Sequence, residues 1–336
     1  SKFYMAKKKF LIIGSNSFAG SNFVNYLLNK KFNVIGLSRS KENSAHFSCY
    51  KKNSNITNFI FYKIDLNKGV DKIIKIIKKQ KPSYIINFAA HGMVNESWER
   101  PLDWYNTNII SQVDLFEKIK NFSFIKKYIN FSTPEVFGNN NNELFEDAYF
   151  KPSTPYAISR AAFDYHLTAN SHHANFPIIL TRTANIYGPH QKLYRVVPKA
   201  IMSFLNKRNF YLDGSGSSVR SFIFMDDVSE ALFKIIKLKK KIYSYHIATN
   251  KFVTIENLVK RIGFLMKIDS TKYIKKIKKD RIGKDHVYKL NNNKIKKNLS
   301  WKPKTHLDKG IIETIKWVKK DYKNFKSSDL IYKHIK

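Results

Sequence analysis

An apolar run, KKFLIIG (Lys8 to Gly14), leads without a spacer into GSNSFAG (Gly14 to Gly20), and a helix-like stretch follows at once. A strand that turns on glycine straight into a helix leaves few folds open. Gly14 permits the tight turn, and Gly20 permits close packing of helix on strand. The first N–H groups of the helix then face outward, where phosphate oxygens can bind. Ser17 stands where a middle glycine would, small enough for close approach, and Phe18 opens the helix. A glycine-spaced turn alone is a weak signal. Placed after the first strand of a βα unit, it points to a dinucleotide site.

The rest of the first half repeats this unit. FNVIGLS (Phe32 to Ser38), NFIFYKID (Asn58 to Asp65), SYIINFAA (Ser83 to Ala90), KKYINFST (Lys127 to Thr133) and PIILTRTA (Pro177 to Ala184) read as strands. Helical spacing is predicted over 70–79, 104–120 and 155–172. Alternating βα units predict a parallel, doubly wound sheet, with strands apolar almost throughout because helices cover both faces. Beyond Gly188 the pattern loosens, with helices predicted near 195–206, 226–238, 254–267 and 305–322. The expected organisation is an α/β chain. A Rossmann-like dinucleotide domain spans 1–188, with 218–248 as candidates to return to it, and a smaller C-terminal α/β substrate-binding lobe spans 189–336.

The net charge is +36, from 61 Lys and Arg against 25 Asp and Glu. Such a value suits a nucleic-acid or anionic-membrane partner. The lysines are dispersed rather than gathered, however, and Lys, Asn and Ile abound even in loops such as GNNNNE (Gly138 to Glu143). Compositional bias is the reading adopted, and nucleic acid is not an expected partner. A basic surface also attracts a small polyanion such as a nucleotide diphosphate. No apolar run approaches the ~18 residues of a membrane span. The N-terminal run reads as a first strand rather than a signal peptide, with Met5 the candidate start. One cysteine, Cys49, forms no internal disulfide, so a reducing cytoplasm is expected. No metal site is expected.

The second strand ends in Ser38, Arg39 and Ser40, two hydroxyls and a cation that suit a ribose 2′-phosphate, so NADP is expected, with NAD the alternative. Arg39 could equally be one more surface cation. Asp65, followed by Leu66, ends the third strand where a carboxylate reaches an adenine. Ala89 and Ala90 end the fourth, small enough for a cofactor to lie close. Thr133 and Glu135 fall at the carboxyl edge of the sheet, where such folds bind ligands. There a hydroxyl can hydrogen-bond a substrate oxygen, and a carboxylate can remove a carbon-bound proton. PYAISR (Pro155 to Arg160) sets Tyr156 and Arg160 on one helical face, where the cation lowers the phenol's pKa.

These residues, in this order and spacing, resemble the extended short-chain dehydrogenase/reductases, over nearly the whole chain. Ala89 to Asn108 is similar to the segment after the fourth strand in nucleotide-sugar epimerases and dehydratases, which places His91 at the substrate. TRTANIYGP (Thr181 to Pro189) and GSGSSVRSFIFMDDV (Gly214 to Val228) resemble further segments of the same epimerases and dehydratases, and RIGKDHVYKLNNNKIKKNLSWKP (Arg281 to Pro303) resembles the ending of sugar-nucleotide 4,6-dehydratases. The resemblance implies that Tyr156 is the acid/base for the sugar 4-hydroxyl and that Thr133 hydrogen-bonds that oxygen. Arg160 stands where the family carries a lysine that holds the nicotinamide ribose. Asn185 and Arg220 match positions that contact the diphosphate, and Arg281 lies where the family touches the nucleotide. A homodimer through helices near 104–120 and 155–172 is implied too, as is a place in polysaccharide precursor synthesis.

Glu135 decides which reaction is expected. In dTDP-glucose 4,6-dehydratases the stretch reads Thr-Asp-Glu, the Asp protonating the leaving 6-hydroxyl and the Glu removing the C5 proton. Here the middle residue is Pro134, whereas GDP-mannose dehydratases and UDP-glucuronate decarboxylases carry Ser. A C4 ketone acidifies C5–H, so a nearby glutamate favours a 4,6-dehydratase-like lyase over a simple 4-epimerase. The Asn95-Glu96-Ser97 and Pro101-to-Tyr105 residues lean toward epimerases. A 4-epimerase or UDP-glucuronate decarboxylase is therefore the alternative enzyme. A non-catalytic dinucleotide-binding scaffold with RNA affinity is the alternative outside enzymes.

Overall fold

The computed structural model describes residues 8–173, 176–238, 242–277 and 287–334. Seven strands form one parallel sheet: β1 (Lys9–Ile13), β2 (Asn33–Ser38), β3 (Phe59–Lys63), β4 (Tyr84–Asn87), β5 (Lys127–Ser132), β6 (Ile178–Thr183) and β7 (Ile242–Ile247). Their spatial order is β7-β6-β5-β4-β1-β2-β3. The order reverses beside β1, between β2 and β4, which opens a crevice at the carboxyl ends of these strands. This is the doubly wound α/β fold expected.

Strand alternation builds the two cores. Phe10 and Ile12 of β1 face one hydrophobic cluster, while Leu11 and Ile13 face the other. The first cluster takes in Phe23, Leu27 and Leu28 of α1 (Phe18–Asn29). The second takes in Ile73 and Ile77 of α2 (Leu66–Gln80), and Phe163 and Leu167 of α3 (Pro155–His173). A third cluster, with Val197, Ile201, Leu258, Ile262, Ile311 and Val318, is the core of the lobe. The lobe's helices span Val196–Leu205, Ile255–Leu265 and Leu307–Asp321. Between them the chain crosses back: helix Met225–Ile236 packs on the first cluster and β7 pairs with β6.

A buried polar network fixes α3 on the sheet. Asp164, fully buried, pairs with Arg182 of β6 at 2.9 Å and accepts hydrogen bonds from Asn130 and Ser132 of β5 at 3.0 and 2.8 Å. Its charge is fully partnered, and removing one member would strand the other, at about 3–5 kcal/mol. Asp164 lies one turn beyond Arg160 and two beyond Tyr156, so this network also sets where those side chains emerge. Among the described residues no helix is long and apolar enough to cross a membrane.

Candidate active site

The carboxyl ends of the strands and the facing lobe enclose a cleft of about 1030 Å³. Every candidate catalytic, cofactor-binding or substrate-binding residue named from the sequence lines it except Gly20 and Arg281. Arg281 lies outside the described residues. Gly20 sits behind the wall, where an added Cβ would meet the Gly14 carbonyl oxygen at 2.3 Å, so its part is close packing of the turn.

At the β1 end the cleft is built from backbone. Gly14 has φ +82°, and a Cβ there would lie 2.7 Å from the Ala89 amide nitrogen. The turn therefore rests directly on the chain leaving β4. The Ser17 hydroxyl caps α1 by accepting the Gly20 N–H at 2.9 Å. The Phe18 and Ala19 N–H groups belong to the first turn and have no acceptor within the helix. Asn16 ties this turn to the end of β2. Its N–H donates to the Ser38 hydroxyl at 2.9 Å, and its side-chain amide donates to the Ser40 hydroxyl at 3.1 Å. Arg39 reaches across to His91, 3.4 Å between Nη1 and Nε2. Burial, with Arg39 and His334 nearby, pushes the His91 pKa down to about 4, so the ring is neutral and can accept. Asp65 lies two residues past the end of β3 and caps α2, accepting the Asn67 N–H at 2.9 Å.

A wide helical turn, Asn106–Ile110, supports this wall from behind. Asn108, buried there, accepts the His91 N–H at 2.8 Å and donates to the His91 carbonyl at 3.0 Å and the Ser159 hydroxyl at 2.9 Å. One amide thus joins the β4 exit to α3. Periodicity gives no sign of Asn108, because its role arises only from the tertiary contact.

At the β5 end side chains make the site. Thr133 caps a single turn, Pro134–Phe137, its hydroxyl accepting the Glu135 N–H at 3.3 Å. Proline fits the first helical position, where the missing N–H has no acceptor anyway. Tyr156 enters from α3. Burial raises its phenol pKa, and the Glu135 carboxylate raises it further. Arg160 and a hydrogen bond with Thr133 pull it down. The net direction is upward, so the expected lowering by Arg160 is present but outweighed. Arg160 is itself anchored, donating to the Phe131 carbonyl of β5.

On the lobe side, Tyr288 joins Asn185 and Arg220, though sequence reasoning passed it over. Its hydroxyl donates to Asn185 at 2.7 Å, and the Arg220 guanidinium lies 4.5 Å from its ring centre. The signal available was its place inside the Arg281-to-Pro303 segment. Glu96 was also missed as a site residue: it lines the cleft, and its Oε2 is buried with no hydrogen-bond partner.

The family model described as GDP-mannose 4,6 dehydratase matches residues 11–314. The chain belongs to this family. Among relatives of this dehydratase family, the dTDP-D-glucose 4,6-dehydratase of Homo sapiens is 28% identical, the match covering 95% of this chain and 92% of that protein. The dTDP-glucose 4,6-dehydratase of Haemophilus influenzae is 26% identical, covering 91% and 96%. Among solved structures, the Bacillus anthracis dTDP-glucose 4,6-dehydratase in complex with NAD superposes with a TM-score of 0.84 at 27% identity, covering 94% of this chain and 98% of that one. The kinship with nucleotide-sugar dehydratases and epimerases expected from the motifs is thus borne out.

Proposed function

We propose that the cleft binds a nucleotide-diphosphate hexose beside a nicotinamide dinucleotide, oxidises the sugar at C4 and eliminates water across C5–C6. The carrying observation is that Thr133, Glu135 and Tyr156 meet at one end of the cleft while the phosphate-binding turn stands at the other. The tight Gly14 turn, packed on the Ala89 backbone, and the two unpartnered N–H groups at the start of α1 fit a pyrophosphate. When bound, the dinucleotide supplies reversible hydride acceptance, taking a hydride from C4 and returning one before product leaves.

The chain's own groups do the rest. Tyr156 takes the 4-hydroxyl proton, and Thr133 orients that oxygen. Glu135 takes the proton from C5, which the C4 ketone has acidified. Hydroxide is a poor leaving group, so the departing 6-hydroxyl needs a proton, and Pro134 has none to give. Glu96 is the carboxyl proposed for that step. Its neighbour Ser97 accepts the Tyr156 N–H at 3.2 Å, which holds the Glu96 turn against the start of α3. Asn185 and Arg220, braced by Tyr288, hold the diphosphate. Arg160 holds the nicotinamide ribose.

Arg39 favours NADP. NAD is the second reading, supported by the NAD-bound relative and by the engagement of Ser38 and Ser40 with Asn16. A homodimer is proposed through the segments around 101–110 and α3, which pack on each other and carry the exposed apolar residues Leu102, Ile110, Ile158 and Tyr165. A reducing, cytoplasmic setting suits the unpaired Cys49.

The test is incubation with a panel of nucleotide-diphosphate hexoses and either dinucleotide, read by mass spectrometry and NMR. A 4-keto-6-deoxy product is expected. Glu96→Gln should keep exchange of the C5 proton while slowing loss of water. Absence of water loss with every sugar would sink the dehydratase reading, and interconverted epimers would replace it.

A further inference from the structure

The last described residues run back across the mouth of the cleft. After the short turn Ser327–Leu330, side chains alternate: Ile331 and Lys333 are exposed, while Tyr332 and His334 turn inward. His334 stacks on Trp104, with ring centres 4.9 Å apart and planes 14° from parallel, and meets the His91 ring at 4.9 Å. Its Nε2 lies 2.9 Å from Asp103 Oδ2, and its Nδ1 lies 3.3 Å from the Tyr332 hydroxyl. Tyr332 lines the cleft and packs edge-on against Tyr194 at 5.5 Å. A segment outside helix and strand is ordered only where its side chains are tied down. Here one imidazole has both nitrogens engaged and aromatic rings beside it.

The tie lies at the cofactor end. His91, which His334 covers, accepts from Arg39 and feels the Asp65 carboxylate, the two side chains assigned to the adenosine half of the dinucleotide. Burial raises the Tyr332 phenol pKa, Tyr194 and Glu96 raise it further, and Arg39 and Arg195 pull it down, so all four lie near its ring. The segment thus lies against the cleft wall at Tyr332 and against the Arg39–His91 contact at His334.

We propose that Tyr332 and His334 are binding residues of the dinucleotide site, forming its outer wall over the adenosine ribose and slowing cofactor exchange. This rests on the dinucleotide reading above. It also fits a reaction in which the hydride taken at C4 must come back from the same cofactor molecule, since release between the two transfers would strand a ketone.

The experiment measures dissociation of NADH and NADPH from the full chain by stopped-flow fluorescence, without any sugar. It is repeated for a chain ending at Leu330, for His334→Ala and for Tyr332→Phe, with melting midpoints recorded for each. Ending the chain at Leu330 should speed dissociation by about tenfold, as loss of the stacking and hydrogen bonds at an otherwise intact pocket implies. His334→Ala should give an intermediate effect, and Tyr332→Phe a smaller one. Dissociation unchanged in the shortened chain overturns the proposal. So does tighter binding after shortening, which would mean that the segment fills the pocket instead of walling it. If the full chain binds neither dinucleotide, the underlying reading fails, and that outcome is distinct from the other two.

Discussion

The two ends of the cleft are made in different ways. At the β1 end, recognition comes from backbone: a glycine at φ +82°, a bare helix start and a close contact with Ala89. At the β5 end, a single turn of ordinary conformation presents side chains, Thr133 and Glu135, to Tyr156 on the neighbouring helix. The first kind of site tolerates almost no exchange at Gly14 and Gly20, because a Cβ there meets backbone, although Ser17 between them carries a small side chain. The second keeps its shape when a residue changes, which is how Pro134 occupies the turn without disturbing it. Chemistry can therefore drift at one end while binding stays constant at the other.

The sharpest break of this contrast is Tyr156→Phe. Removing a positioned proton-transfer group should lower turnover by about 10²–10⁴-fold. Dinucleotide affinity, measured by titration, should stay near that of the parent, because the β1 end is untouched. A Tyr156→Phe enzyme that turned over sugar nucleotide normally would end the catalytic reading.

Gly14→Ala probes the opposite end. The left-handed backbone and the 2.7 Å approach to Ala89 cannot both survive a methyl group. A loss of about 3 kcal/mol in stability is expected, with weakened dinucleotide binding, read by denaturant titration and by fluorescence. Pro134→Ala at the β5 end should cost less than about 1 kcal/mol. Equal losses at the two positions would erase the distinction between them.

His91 links the ends, and its titration has a definite sign. Its pKa falls from 6.5 to about 4 in the folded chain, so the unfolded chain binds the proton more readily. Its contribution is present above pH ~6.5 and is lost as pH falls toward ~4, on the order of 2 kcal/mol. Arg39, His334, Asp103 and Asp65 face the ring, so the effect belongs to the cluster. Melting midpoints recorded between pH 7 and pH 4 should fall less steeply in His91→Gln than in the parent.

The same contrast explains what was legible in the sequence. The strands of the sheet and the later helices follow from apolar periodicity, which is local, and the predicted helix at 195–206 appears as Val196–Leu205. The glycine turn was legible because only one residue type solves its backbone problem. Thr133, Glu135 and Tyr156 were legible only as a set in register. Asn108, Tyr288, Glu96 and the Tyr332/His334 pair were not. Tyr288 and His334 act through partners far away in the chain, Asn185 and Asp103, at separations of 103 and 231 residues, and Glu96 stands out only because the fold buries its carboxylate oxygen in the cleft wall. No local pattern marks such a residue, and only the folded contact reveals it.

Arg160→Lys should have the smallest effect, and it separates charge from geometry at the β5 end. Arg160 lowers the Tyr156 pKa and anchors to the Phe131 carbonyl at the same time. A lysine keeps the charge and three donors, but it lacks the planar fork that can hold a carbonyl and a ribose hydroxyl together. If charge is the main contribution, turnover should stay within about tenfold of the parent, with the difference mostly in dinucleotide affinity. If turnover instead drops as far as in Tyr156→Phe, the anchor to Phe131 is what holds the tyrosine in place. The arginine would then serve the β5 end as a structural clamp, and its charge would be secondary.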